Sequence, residues 1–159
     1  MHKVITTFYQ AFTELDAETM VRCYHKNIRF EDPAFGELHG ERAKNMWRML
    51  CASQQGKNFQ VSFDKIQCDV AKGTASWEAI YNFSQTGRKV HNKIEASFEF
   101  KDGLIVSHVD TFDLHLWSKQ AFGLKGILLG KTKFFQRKLQ EKTNHLLDEF
   151  ERKLAHYSP

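Results

Sequence analysis

Val4, Phe8, Ala11, Phe12 and Leu15 stand three or four residues apart, the spacing of one helical face, and predict an amphipathic helix over residues 3–15. Asp16 offers a side-chain acceptor to the first turn of a second helix, and Glu18 places negative charge at the positive end of its dipole. Thr19 stands where a capping box would need Glu or Gln, so the cap is Asp16 alone. The second helix continues through Met20, Val21 and Tyr24. "IRFED" then reads as a short strand, ended by Pro33, which has no N–H to give to a ladder. After Gly40, the residues Ala43, Met46, Trp47 and Leu50 share one face of a third helix over about 41–53.

Beyond Gly56 the period changes from helical to two. Phe59, Val61, Phe63 and Ile66 predict a strand, and "TASWEAIYNF" sets Trp77, Ala79, Tyr81 and Phe83 against Glu78, Ile80 and Asn82. "QTGRK" reads as a turn. In "HNKIEASFEFK", Ile94, Ala96, Phe98 and Phe100 alternate strictly with charged and polar residues, giving one buried and one wetted face. "KDG" is a hairpin turn and "LIVSHVDTF" the returning strand. Helices followed by an antiparallel meander predict an α+β fold: a curved antiparallel sheet wrapped around the N-terminal helices, a cone with a pocket, and a long C-terminal helix outside it.

Composition adds a class and removes others. The chain has 159 residues, enough for one domain that buries about 68–70% of its unfolded surface. It is 42% hydrophobic with 14 phenylalanines, too apolar for disorder. A net charge of +4 does not by itself call for nucleic acid as a partner. Cys23, Cys51 and Cys68 are odd in number and lack metal-ligand spacing, so buried reduced thiols in a cytoplasmic protein are expected. The N-terminal "MHKVITTFYQAF" shows neither an uninterrupted apolar run nor a cleavage site, and no membrane span is expected.

The order of elements, together with "FEDP", the glycine before the third helix, "TGRK" and the last two strands, resembles the nuclear-transport-factor-two-like superfamily. That superfamily includes ketosteroid isomerases, SnoaL-type polyketide cyclases and limonene epoxide hydrolase. The resemblance covers about residues 1–113 and implies a cystatin-like α+β cone that forms homodimers through the outer sheet face. Matched to ketosteroid isomerase, the catalytic base falls on Asp32, but the two oxyanion donors fall on Phe8 and Ala96. Losing even one such donor costs a hundredfold to a thousandfold or so in rate. Steroid isomerisation by that mechanism is therefore not expected.

The same match implies a pocket wall of Phe8, Trp47, Trp77, Tyr81, Phe83, Phe98, Phe100 and Phe112, with His108 and Asp110 inside. Independently, the i, i+2 spacing of His108, Asp110 and Phe112 puts them on one face of the last strand. SnoaL-type cyclases resemble this more closely, carrying an aspartate and a histidine deep in the pocket. Each residue keeps an alternative reading. Asp32 is either a pocket carboxylate or a turn residue capping "DPAFG". His108 and Asp110 are either a working acid–base pair or a buried pair that satisfies itself. No cofactor, phosphate loop or three-ligand metal set is expected.

Residues 114–159 read as a basic amphipathic helical tail packed on the same domain. From Leu114 to Gln140 there are six basic residues, Lys119, Lys125, Lys131, Lys133, Arg137 and Lys138, and no Asp or Glu. A final helix from about Lys131 carries Phe135, Leu139, Leu146, Phe150 and Leu154 as its apolar stripe. The tail either packs over the pocket mouth or contacts a partner or an anionic membrane surface through residues 119–138. Two functions follow. One is an acid–base isomerase, cyclase or hydratase acting on a small apolar carbonyl compound. The other is a non-catalytic ligand-binding or interaction protein, its tail contacting a partner or a membrane surface.

Overall fold

The structure is a computed structural model and describes residues 1–157. Helix α1 (His2–Thr13) buries Ile5, Phe8, Tyr9, Ala11 and Phe12 on one face. The chain reverses at Leu15, and the Asp16 carboxylate accepts the Thr19 N–H at 3.0 Å to start α2 (Ala17–Arg22). That helix stops before Tyr24, which the sequence pattern assigns to it. Tyr24 instead opens β1 (Tyr24–Asp32), burying its side chain together with Ile28 and Phe30. The strand is longer than its sequence suggests because Lys26 and Asn27 are exposed and interrupt the apolar alternation.

Strand β2 (Gly36–His39) carries no periodicity visible in the sequence, since Leu38 is its one buried residue. It pairs antiparallel with β1 across a turn in which Gly36 has φ +74°, a conformation open to glycine. Helix α3 (Gly40–Gln54) buries Ala43, Met46, Trp47 and Cys51. The meander β3 (Gln60–Cys68), β4 (Lys72–Asn82), β5 (Lys89–Lys101) and β6 (Leu104–Thr111) completes a six-stranded sheet in the order β2-β1-β6-β5-β4-β3.

Neighbouring strands run antiparallel except β1 and β6, which pair parallel. The parallel pair is possible because 71 residues of helix and meander separate the two strands, so no tight turn has to join them. In β3 the pairing shifts between Asp64 and Gln67, with Lys65 at φ +51°. This bulge explains how Phe63 and Ile66, an odd number of residues apart, both pack on the core. Cys23 and Cys51 are buried, and burial pushes their thiols up to about 11 and about 12. Cys68, expected to be buried, is exposed at the end of edge strand β3.

Three helices follow: α4 (Leu114–Phe122), capped by the Asp113 carboxylate at Leu116 N (2.9 Å), then α5 (Leu124–Leu129) and α6 (Lys133–Tyr157). Trp117 and Ala121 of α4 form a second small core with Val90, joined by Phe83, Phe122 and Phe135. Helix α6 buries Leu147 fully, whereas Leu146 and Leu154, expected in its stripe, are 45% and 39% exposed. Leu146 still faces the body, because it lines a cavity there together with Leu139 and Phe150. Among the described residues no helix is long and apolar enough to cross a membrane.

Tyr9 is completely buried between Phe63 and Trp77, and its hydroxyl has no hydrogen-bond partner among the described residues. Burial pushes its pKa up, which keeps it neutral. Tyr9→Phe should therefore leave stability unchanged or raise it by about 1 kcal/mol, because the desolvated hydroxyl returns nothing. A urea-unfolding midpoint lowered by more than that would show that the hydroxyl has a partner, such as a trapped water.

Candidate functional site

The concave side of the sheet, α3 and α6 enclose a cavity of about 480 Å³. Its wall includes Phe30, Asp32, Trp47, Trp77, Tyr81, Phe83, Ile94, Asp110 and Phe112, and α6 closes it with Leu139, Thr143, Leu146 and Phe150. Of the residues singled out from the sequence, Asp32, Asp110, Trp47, Trp77, Tyr81, Phe83 and Phe112 line this space. Phe8, Phe98, Phe100 and His108 do not. They fill the narrow end of the cone instead. The His108 ring stacks on Trp47 (centroids 6.0 Å, 16°) and meets Phe98 at 4.5 Å and Phe8 at 5.4 Å, while Phe100 stacks behind Phe98 at 6.4 Å. Being two residues before Asp110 on β6, His108 sits one step deeper, where α1 has already filled the cone.

His108 is nonetheless tied to the cavity through one chain of buried hydrogen bonds. Trp47 Nε1–H donates to the Tyr24 hydroxyl oxygen at 2.8 Å, and that hydroxyl lies 2.7 Å from His108 Nδ1. His108 Nε2 is 3.0 Å from Asp110 Oδ1, which also accepts Trp77 Nε1–H at 3.2 Å. The proton positions follow from donor counting. An indole N–H can only donate, so the Tyr24 oxygen accepts from Trp47, and in the tautomer that leaves Asp110 a carboxylate accepting from Nε2–H, the Tyr24 proton goes to Nδ1. Nδ1 is then an acceptor, and Nε2 carries the proton given to Asp110. Burial, and secondarily the Asp110 charge, pushes the Tyr24 pKa up and keeps that hydroxyl protonated. The chain starts and ends on an indole donor, each pointing inward. It pins Oδ1 of Asp110, on a residue only 3% exposed that also faces the cavity.

Asp32 combines both of its sequence readings. Its Oδ1 accepts Ala34 N–H at 2.9 Å and Phe35 N–H at 2.6 Å, capping the turn after β1, and the same carboxyl group faces the cavity. Loss of hydration there lifts its pKa to about 7. The Phe35 N–H bond opposes the rise and the Asp110 charge adds to it. Glu31, on the other side of the strand, pairs with Arg29.

The carbonyls of that turn are held by α6, a relation invisible in the sequence. Thr143 Oγ1 donates to Ala34 O (2.8 Å), Asn144 Nδ2 to Phe35 O (2.8 Å) and Gln140 Nε2 to Pro33 O (3.2 Å). Arg42 and Asn45 of α3 grip Glu151 of α6 at 2.6 Å and 3.0 Å. One wall group lies outside the sequence pattern altogether: Trp117, whose Nε1–H donates to Tyr81 Oη at 2.9 Å. With its oxygen accepting from Trp117, Tyr81 keeps its own proton to donate, and burial pushes its pKa up. Among the described residues no three His, Cys, Asp or Glu side chains are grouped to hold a metal ion.

A SnoaL-like domain model matches residues 5–108. No match is found among curated protein sequences. Similar solved structures include TerC co-crystallised with polyporic acid, with 13% identity, 75% of this chain and 95% of that one covered, and a TM-score of 0.63. An LEH-like epoxide hydrolase from M. tuberculosis shares 23% identity over 80% of this chain and 89% of its own, with a TM-score of 0.57. A protein with a ketosteroid isomerase-like fold from Catenulispora acidiphila, in complex with trimethylamine, shares 14% over 74% and 91%, with a TM-score of 0.61. At these identities the likeness is one of fold.

Two outcomes check the site. A carboxyl group whose folded pKa is about 7, against about 4 in an unfolded chain, binds its proton more tightly when folded. Its contribution to stability is full below about pH 4 and is lost as pH rises towards about 7. Asp32→Asn keeps the turn's acceptor oxygen and should abolish that decline; identical pH–stability curves for the two proteins would refute the raised pKa. Thr143→Val and Asn144→Leu should each cost about 1 kcal/mol or more, by leaving Ala34 O or Phe35 O unpaired. Neutral substitutions in thermal melts would mean that α6 does not hold the turn.

Proposed function

The chain belongs to the SnoaL-like domain family, and on that premise we propose that it is an acid–base isomerase, cyclase or hydratase of a small apolar carbonyl compound. The observation that carries this reading is the pairing of Asp32 and Asp110 in one aromatic-walled cavity, with Asp32 poised at about 7. A base tuned near the working pH combines a useful ionised fraction with a stronger pull on a carbon acid than an ordinary carboxylate has.

In this mechanism the ionised Asp32 takes a proton from the carbon next to the substrate carbonyl. The C–H electron pair moves into the C–C bond, and the carbonyl π pair moves onto oxygen to give an enolate. Tyr81 O–H, its oxygen already accepting from Trp117, donates to that oxygen, and Asp32 returns its proton at the carbon that becomes saturated. Tyr81 thus supplies from β4 a donor like those missing at Phe8 and Ala96. Asp110, fixed by His108 and Trp77, accepts a substrate or water O–H and orients it. His108 acts through Asp110 and is a positioning residue. Epoxide hydrolysis, the activity named for the M. tuberculosis neighbour, is compatible with such carboxylate work.

The test is deuterium exchange at the α-carbon of a panel of enolisable aromatic and alicyclic ketones, followed by proton NMR. Wild type should catalyse exchange with kcat/KM rising through about pH 7 to a plateau, as required of a base. Asp32→Asn and Asp110→Asn should abolish exchange while leaving affinity, read by quenching of Trp47, Trp77 and Trp117 fluorescence, within a few-fold. Tyr81→Phe should lower kcat by about a hundredfold. Substitutions that change affinity alone would instead make the pocket a carrier for an apolar ligand.

A further inference from the structure

We propose that the junction of α4, α5 and α6 docks on an anionic membrane surface. The inference is independent of the cavity's chemistry and starts from a reversed helix. α5 meets α4 through its smallest residues: a Cβ added at Gly126 would lie 1.9 Å from Ser118 O, and one at Gly130 would lie 1.8 Å from Ser118 Oγ. Ser118 is buried and donates its hydroxyl to Gly126 O at 3.0 Å, while His115 Nε2 stands 3.1 Å from Ile127 O.

With the glycine side turned inward and locked there, the aliphatic side faces out. Leu124 and Leu128 are each 78% exposed, Leu129 50%, and Phe134, at the start of α6, 56%. An amphipathic helix ordinarily buries its leucines and shows its small or polar residues. Here no side chain larger than hydrogen fits on the inner side, so the leucines cannot be turned in without breaking the α4–α5 contact.

Charge selects the occupant. The stretch 114–140 contains no Asp or Glu. Among the described residues Lys125, Lys131 and Lys133 have no ion pair, and the Arg137 guanidinium lies over the Phe134 ring at 5.8 Å. A second copy meeting this face symmetrically would bring like charges together. An anionic bilayer offers the complementary order: negative headgroups for the lysines, and hydrocarbon just beneath for side chains that project as a ridge rather than line a groove.

The experiment is co-sedimentation of the full chain with phosphatidylcholine vesicles, with and without phosphatidylserine, at low and high salt. Binding is expected only with phosphatidylserine, weakening as salt rises. Lys131→Gln/Lys133→Gln should weaken it roughly fivefold per lysine removed. Leu124→Ser/Leu128→Ser should remove it without lowering Tm, since both side chains are already in water. Absence of binding to phosphatidylserine vesicles at low salt overturns the proposal. So does salt-sensitive binding that survives the leucine variant, which would mark charge adhesion of the kind an acidic protein could supply. A leucine variant that changes only the sedimentation coefficient would assign the face to a second copy of the chain.

Discussion

A carboxylate buried in an apolar cone is tolerated only if fixed donors replace the water it has lost, and much of this molecule is arranged around meeting that requirement at Asp110. The donors come from residues scattered along the chain: Trp77 on β4, His108 on β6 and, behind His108, Tyr24 on β1 and Trp47 on α3. Each must stand at the right depth for the next to be satisfied. The chain of bonds therefore links the parallel β1–β6 pair, the meander and α3 into one arrangement. It also explains why His108 is flanked on several sides by aromatic rings, which hold the imidazole plane without competing for its nitrogens.

The two cavity carboxyl groups are held by different donors. Asp110 receives two side-chain N–H donors deep in the wall. Asp32 receives two backbone N–H groups, yet desolvation still wins and lifts it to about 7. The turn holding Asp32 is gripped from both sides, its N–H groups by Asp32 itself and its carbonyls by Gln140, Thr143 and Asn144 of α6. Cavity closure and placement of the titrating group are thus one structural event, and the C-terminal helix belongs to the site as much as the strands do.

The basic tail divides its labour along its length. Its later part covers the cavity, while its earlier part turns a glycine face to the body and a leucine face to water. Both halves look equally amphipathic in sequence, because periodicity records that two faces differ without recording which of them is inward.

Strict alternation in "HNKIEASFEFK" and the three- and four-residue spacings of α1 and α3 are legible in the sequence because one buried face imposes its period on the residues that make it. The same alternation is enough to put His108 and Asp110 on one face of β6, with Phe112 just past its end. β2 is not legible, being four residues long with one buried side chain, and neither is the β3 bulge, which appears in sequence only as an odd spacing. The sequence by itself determined the class of fold, the succession of its main elements and the face on which the ionisable groups stand. Tertiary structure alone decided depth: that His108 is sealed behind Asp110, that Tyr81 is completed by Trp117, and that α6 holds the turn of Asp32 from more than a hundred residues away. Depth depends on what the rest of the chain has already filled, and no local pattern carries that information.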